Sequence, residues 1–112
     1  MENALDRTLV ALADPTRRGV IELLREQPRR AGELAELLAI TPPALSRHLR
    51  LLRKSGLVSE SELVDDARVR MYRLEPAPFA ELRGWLDEVE AFWGDQLQAF
   101  KAHAEKRGRH KK

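Results

Sequence analysis

The 112-residue sequence contains no cysteine, and this absence excludes several kinds of chemistry at once. Disulfide bonds, thiolate metal sites and cysteine nucleophiles are impossible, and nothing in the composition indicates an oxidising compartment. Long apolar runs are also lacking, and no stretch approaches the length that a membrane-spanning helix needs. We therefore predict a cytoplasmic protein with no membrane partner.

Catalytic signatures are lacking as well. His48 lies in a predicted helix, and His103 and His110 lie near the basic C-terminal end, so no serine, histidine and carboxylate constellation suggests hydrolysis. Glycine-rich loops of the kind that cradle phosphates are also absent from the sequence. We predict that the protein is not an enzyme and uses no cofactor.

What the sequence does contain is enough apolar material for one core. Hydrophobic residues make up 43% and charged residues 34% of the chain, a balance typical of a folded domain. We predict one domain over residues 1–105. The remaining stretch, residues 106–112, reads KRGRHKK, has no apolar residue and is predicted to be a frayed basic tail.

Two helices are predicted at the N-terminal end. The first has one leucine-rich face, formed by Leu5, Leu9 and Leu12. The second begins at Asp14 and Pro15, because aspartate can cap exposed amides and proline at the first helical position loses no hydrogen bond. It continues to about Glu26, and residues 28–30 are predicted to form a connecting loop.

Two further helices follow, separated by a short turn. The third is only about two turns long and depends on packing against its neighbours. The turn at residues 39–41 has Ala39 where many such turns have glycine. Thr41 can cap the fourth helix, Pro42 suits its first position, and Gly56 supplies a left-handed stop. The stripe of the fourth helix that faces the core is predicted to be Leu45, Leu49 and Leu52.

The pattern changes after Gly56. Residues 57–64 and 68–74 approximate the alternation of a β-hairpin around a turn candidate at Asp65 and Asp66. A long final helix follows, with apolar residues at spacings of three and four. Its stripe comprises Phe79, Leu82, Trp85, Leu86, Val89, Phe92, Trp93, Leu97 and Phe100. The predicted fold class is mainly α with a small β-hairpin (α+β), in the order α-α-α-α-β-β-α.

Charge is unevenly distributed, although the net charge is only +2. From residue 41 to 58 the charged residues are all basic, whereas residues 75–95 hold six acids against one arginine. The basic residues are Arg47, Arg50, Arg53 and Lys54. A local basic region of this kind attracts polyanions more effectively than the net charge suggests.

The third and fourth helices match a helix-turn-helix, because they are short, separated by three residues, and the second is basic outside and leucine-rich inside. Its outward face has no carboxylate nearby and can enter a major groove lined by phosphates. The amides at its N-terminus are predicted to form an anion site. We predict that double-stranded DNA contacts Thr41, Pro42, Pro43, Ser46, Arg47, Arg50 and Arg53.

Arg47 is the strongest candidate for reading a base, since an arginine can donate two hydrogen bonds to guanine. The simpler interpretation is that Arg47 and Arg50 only keep a helix face soluble. His48 falls on the core-facing side of the same helix. We predict that it is half-buried and donates to a backbone carbonyl rather than contacting a base.

The order of elements and three stretches of sequence resemble the ArsR/SmtB family of winged-helix repressors, over roughly residues 4–100. The stretches are LADPTRRGVIELL at 12–24, GELAELLAITPPALSRHLRLLRKSGLV at 32–58 and VRMYRLEP at 69–76. The resemblance implies a winged helix-turn-helix that acts as a sequence-specific transcriptional regulator, and as a repressor. It also implies a homodimer on a pseudo-palindromic operator, with half-sites about one DNA turn apart or a multiple of it.

The resemblance assigns two further groups of residues. Arg68 and Arg70 lie on the hairpin wing and approach the minor groove or flanking phosphates. The wing tip at residues 64–67 departs from the family pattern, because it has two acids and no glycine. The first and last helices would build the dimer interface, and their apolar surplus fits this role. The predicted interface residues are Leu5, Leu9, Leu12, Leu86, Val89, Phe92, Trp93, Leu97 and Phe100.

Metal sensing is a known trait of the resembling family, but this sequence departs from it. Thiolate ligands are excluded, and the last helix offers only His103 and His110. We predict no metal site, and the inducer stays open. The alternative function is a protein-interaction module that docks a partner through its acidic, aromatic final helix.

Overall fold

The computed structural model describes residues 3–63 and 66–109, and within them the side chains of residues 3–61 and 70–107. The elements are α1 (Ala4–Leu12), α2 (Pro15–Glu26), β1 (Arg29–Arg30), α3 (Ala31–Leu38), α4 (Pro42–Lys54), β2 (Val58–Leu63), β3 (Asp66–Leu74) and α5 (Pro76–Arg109). This order confirms a mainly helical winged helix-turn-helix with a small antiparallel sheet. The chain divides into two compact units, Met1–Ala80 and Glu81–Lys112.

Local capping explains where α2 and α4 begin. The Asp14 carboxylate accepts hydrogen bonds from the backbone N–H groups of Thr16 and Arg17, at 2.8 and 3.1 Å. The Thr41 hydroxyl oxygen accepts from the Ala44 N–H at 3.3 Å. Both caps are followed by proline at the first helical position, as the sequence predicts.

The core of the first unit lies between α2, α3, α4 and the start of β2. The predicted leucine stripe of α4 is confirmed, because its three members are at most 3% exposed. The buried apolar residues are Ala11, Val20, Ile21, Leu24, Leu34, Ala35, Leu45, Leu49, Leu52, Leu57 and Val58. From α1, Thr8 and Ala11 are buried, whereas Leu9 is exposed. The leucine-rich face of α1 is therefore only partly turned to this core, since Leu12 packs against it and Leu9 does not.

The sheet has three strands in the order β1-β3-β2, all antiparallel. The predicted loop at residues 28–30 is wrong in part, because Arg29 pairs with Tyr72 and Arg30 with Met71. A strand of two residues is too short to show the alternation of polar and apolar residues that marks longer strands. It is therefore recognised only from its pairing with β3. The buried Arg29 guanidinium donates to the carboxylates of Glu33 and Glu26 at 2.6 and 2.7 Å.

Two left-handed residues terminate the helices of the helix-turn-helix. Ala39, with φ 55° and ψ 44°, ends α3, and Gly56, with φ 78°, follows α4. In both turns the N–H of the following residue donates a hydrogen bond to the carbonyl five residues earlier. Ile40 donates to Ala35, and Leu57 donates to Leu52. Glycine adopts this backbone freely, whereas alanine adopts it at a cost.

The second unit is the helical stretch of α5 from residue 81. Its predicted stripe is largely exposed in the single chain, with Trp93 58% and Phe100 73% exposed. The predicted frayed tail at residues 106–112 begins inside this helix, since α5 continues to Arg109. The last three residues, with His110, lie outside the described part, and the boundary at 105 stays a prediction. In the described ranges no helix is long and apolar enough to cross a membrane.

Candidate nucleic-acid interface

The outward face of α4 carries the predicted DNA contacts. Pro43, Ser46, Arg47, Arg50 and Arg53 recur at three and four residues, so they line one side of the helix, and all are exposed. Leucines fill the opposite side and pack into the core. The packing of α4 therefore presents this row of side chains as one continuous surface, which we call the α4 face.

The N-terminus of α4 does not provide the predicted anion site. Pro42 and Pro43 have no N–H, and the N–H of Ala44 already donates to the Thr41 hydroxyl. The first turn of this helix thus offers no unused amide of the kind that binds phosphate. Thr41 and Pro42 are exposed beside the α4 face, where they stay predicted contacts of a different kind.

Arg47 and Arg50 stand out on the α4 face because nothing in the described ranges engages them. Neither has a hydrogen-bond or ion-pair partner among the side chains of residues 3–61 and 70–107. An exposed arginine without a partner keeps all five of its N–H donors for a ligand. The N–H groups of these two side chains are therefore available to a ligand that accepts hydrogen bonds.

Arg53 differs, because it is already paired. Its Nη2 lies 3.1 Å from Oε1 of Glu60 on β2. Nη1 of Arg70, on β3, lies 3.0 Å from the same oxygen. The acid-free region predicted at residues 41–58 is thus not acid-free in space. Sequence reasoning missed Glu60, which lies two residues beyond that region.

Tyr72 completes this cluster on the sheet. It is the cross-strand partner of Glu60, and Arg70 lies two residues away on the same face of β3. The pKa of the Tyr72 hydroxyl is raised mainly by burial and, as the second cause, by a hydrogen bond with the Glu60 carboxylate. We call Arg53, Glu60, Arg70 and Tyr72 the Glu60 cluster.

A groove of about 620 Å³ runs beside this cluster, between the end of α4 and the start of β2. Its lining comprises Arg50, Arg53, Lys54, Val58, Ser59 and Glu60. Three cations against one carboxylate make the groove basic, which suits an anion such as a phosphate.

The wing is described only in part. Arg70 is exposed and belongs to the Glu60 cluster, as the preceding distances show. The side chain of Arg68 lies outside the described residues, and so do Val64 and Asp65 at the predicted tip. The contact of Arg68 with DNA stays a prediction.

His48 is half-buried, as predicted, but its partner is a side chain. Nη1 of Arg17 lies 3.4 Å from Nδ1 of His48. A guanidinium only donates, so this hydrogen bond requires Nδ1 to accept rather than donate to a carbonyl. Arg17 also donates to the carbonyls of Ala11 and Val10 at 2.7 and 3.1 Å. One arginine therefore links the end of α1 to α4.

Six of the nine predicted dimer residues, one on α1 and five on α5, are exposed in the single chain. Among them Leu9 is 40%, Phe92 57% and Leu97 64% exposed. Leu5 and Leu12 on α1 and Val89 on α5 are half-buried. Exposed apolar surface of this extent on one helix is typical of a protein-protein interface.

No group of three or more histidine, aspartate or glutamate residues in the described ranges is arranged to hold a metal ion. The described His103 on α5 is exposed.

Known proteins resemble this chain in both sequence and structure. The family described as bacterial regulatory protein, arsR family, matches residues 14–60. A helix-turn-helix-type transcriptional regulator of Mycobacterium tuberculosis is 39% identical over 95 residues, which are 85% of this chain and 83% of that protein. The transcriptional repressor SdpR of Bacillus subtilis is 34% identical over 56 residues, covering 50% of this chain and 62% of the repressor.

Solved structures resemble the fold over most of its length. The crystal structure of an ArsR family transcriptional regulator has a TM-score of 0.74 and 33% identity, and the match covers 82% of this chain and 98% of that one. An ArsR-like transcriptional regulator from Rhodococcus sp. RHA1 has a TM-score of 0.77 and 28% identity, with 92% of each chain covered.

Proposed function

Because this chain belongs to the ArsR family of bacterial transcriptional regulators, we propose that it is a homodimeric repressor that reads a pseudo-palindromic operator with α4. The family is one of DNA-binding regulators and not of enzymes. The name of the Bacillus subtilis relative, a transcriptional repressor, supports repression rather than activation.

The observation that carries the proposal is the α4 face, where Arg47 and Arg50 have no partner among the described side chains and no carboxylate lies on the same row. In a major groove Arg47 would donate to the edge of a guanine, and the later arginines would bind phosphates. Sequence preference would then depend on the first half of the helix.

Selection from a random duplex library, followed by fluorescence anisotropy, tests this assignment. We expect Arg47→Ala to reduce the preference for the selected duplex over a shuffled one, by about 1–3 kcal/mol. Arg53→Ala should lower the affinity for both duplexes, because a phosphate contact positions the protein and does not read a base directly.

Arg25→Ala is the matched control, since it removes an arginine of α2 that pairs with Glu22 away from the α4 face. If Arg47→Ala and Arg53→Ala lowered both affinities by the same factor, the reading role of Arg47 would be wrong. A wild-type protein that recovers no preferred duplex would contradict sequence-specific binding altogether.

Dimerisation is the second part of the proposal, and the exposed stripe of α5 supports it. A charge placed on an apolar interface is buried unpaired, so Leu97→Glu should raise the dimer dissociation constant at least tenfold, or about 1.4 kcal/mol. Gln98→Glu adds the same charge one residue away and is the control. Analytical ultracentrifugation measures both, and equal effects of the two changes would contradict an interface at Leu97.

The proposed switch does not involve a metal, which the lack of cysteine supports. Operator affinity should therefore stay unchanged when zinc or cadmium is titrated into the complex, and a release of DNA by either ion would contradict this. We place the action of the protein in the cytoplasm, where its proposed DNA target lies. A monomer without salt-sensitive DNA affinity would favour the protein-interaction module instead.

A further inference from the structure

Glu60 occupies an unusual position for a carboxylate beside a proposed DNA surface. Its side chain is only 15% exposed, and a single oxygen, Oε1, lies within 3.1 Å of both Arg53 and Arg70. Arg53 ends the α4 face, and Arg70 belongs to the wing. Among the described side chains, this carboxylate pairs with an arginine from each of the two elements.

The fold brings this arrangement about in two steps. Antiparallel pairing sets Glu60 opposite Tyr72, so Arg70 on the same face of β3 lies diagonally across from it. Val58, two residues before Glu60, is buried in the core with the leucines of α4, so this face of the hairpin turns toward the helix. Arg53 then reaches the carboxylate from the last turn of α4.

The ion pairs with Glu60 leave part of each guanidinium exposed. Each guanidinium has five N–H donors, and Arg53 and Arg70 are 47% and 53% exposed in the ion pair. A phosphate can therefore reach the exposed part of each group while Glu60 holds Nη2 of Arg53 and Nη1 of Arg70. The carboxylate fixes the direction and spacing of two cations before any DNA arrives.

We propose that Glu60 is a specificity-determining positioning residue, which sets the spacing of Arg53 and Arg70 so that they fit the phosphates of DNA only in the register chosen by α4. This rests on the proposed function. Two effects combine. The negative charge weakens binding to any DNA, and the fixed geometry offsets this loss only in the register in which both arginines meet phosphates.

The test compares wild-type protein with Glu60→Gln on two probes, a duplex recovered by selection with the wild type and a shuffled duplex of the same composition. We expect the ratio of the two affinities to fall about tenfold, mainly because the shuffled duplex binds more tightly. The slope of log affinity against log salt should steepen by about one, because the variant has one negative charge fewer beside the phosphates.

Glu22→Gln is the matched control, because Glu22 also pairs with an arginine, Arg25, at 2.8 Å, and the change in net charge is the same. It should leave both the ratio and the slope unchanged. A folded Glu60→Gln protein with the wild-type ratio, or a control with the same loss, would overturn the role of Glu60. Equal binding of the two probes by the wild type would overturn the proposed function instead.

Tyr72→Phe provides a second, independent variant, because it removes the hydroxyl partner of Glu60 and leaves every charge in place. The ratio should fall about threefold with an unchanged salt slope, since only the positioning is loosened. Circular dichroism establishes folding. If Glu60→Gln does not fold, an unchanged ratio in Tyr72→Phe overturns the proposal by itself.

Discussion

Exchanging alanine and glycine at the two left-handed turns should change stability in opposite directions. Ala39 has φ 55° and is exposed, and Gly56 has φ 78° with the nearest atom to an added Cβ, Pro78 Cγ, at 3.7 Å. Steric overlap therefore does not determine the effect of either exchange on stability. A left-handed backbone costs an ordinary residue about 1–2 kcal/mol, and glycine adds about 0.4–1 kcal/mol of entropy to the unfolded chain. The difference leaves about 0.5–1 kcal/mol.

Ala39→Gly should therefore raise the free energy of unfolding by that amount, and Gly56→Ala should lower it. Urea denaturation followed by circular dichroism, at one fixed protein concentration because dimer coupling makes stability concentration-dependent, measures both. Gly32→Ala in α3 is the control, since its φ is not left-handed and nothing lies within 4 Å of the added Cβ. Gly32→Ala should stabilise. Destabilisation by Ala39→Gly would refute the reasoning.

Three further changes test the core and the titrating groups. Leu52→Ala, at a fully buried position, should cost about 2–5 kcal/mol in urea unfolding. The hydrogen bond from the Arg17 backbone N–H lowers the pKa of Asp14 in the folded protein. The contribution of Asp14 to the stability of the fold is therefore present above the ordinary aspartate pKa and is lost as the pH falls through the lowered value. Asp14→Ala should flatten that part of an acid unfolding curve. Burial and then Glu60 raise the pKa of Tyr72, the one tyrosine, so phenolate absorbance should appear at lower pH in Glu60→Gln.

The starts of the helices were predictable because their signals are local. Asp14 with Pro15, and Thr41 with Pro42, place a capping oxygen and a residue without an N–H next to each other in the chain. The leucine stripe of α4 was predictable for a similar reason, since one helical period decides which side faces the core. Both features depend on neighbours within about one helical turn.

The features that the sequence did not predict depend on distant neighbours. β1 exists only because β3 pairs with it, and Arg29 is buried between carboxylates of α2 and α3. Glu60 meets Arg53 and Arg70 only after the hairpin packs on α4. The exposed α4 face was found from spacing, but the unequal availability of its arginines was not.

Substitutions of Arg17 should appear in a genetic screen for loss of function. It does not belong to the α4 face, yet it donates hydrogen bonds to the carbonyls of Val10 and Ala11 and to the ring of His48. Replacing it removes three hydrogen bonds that link α1 and α2 to α4. In a reporter strain, a screen for alleles that fail to silence a promoter should recover substitutions of Arg17 alongside those of Arg47.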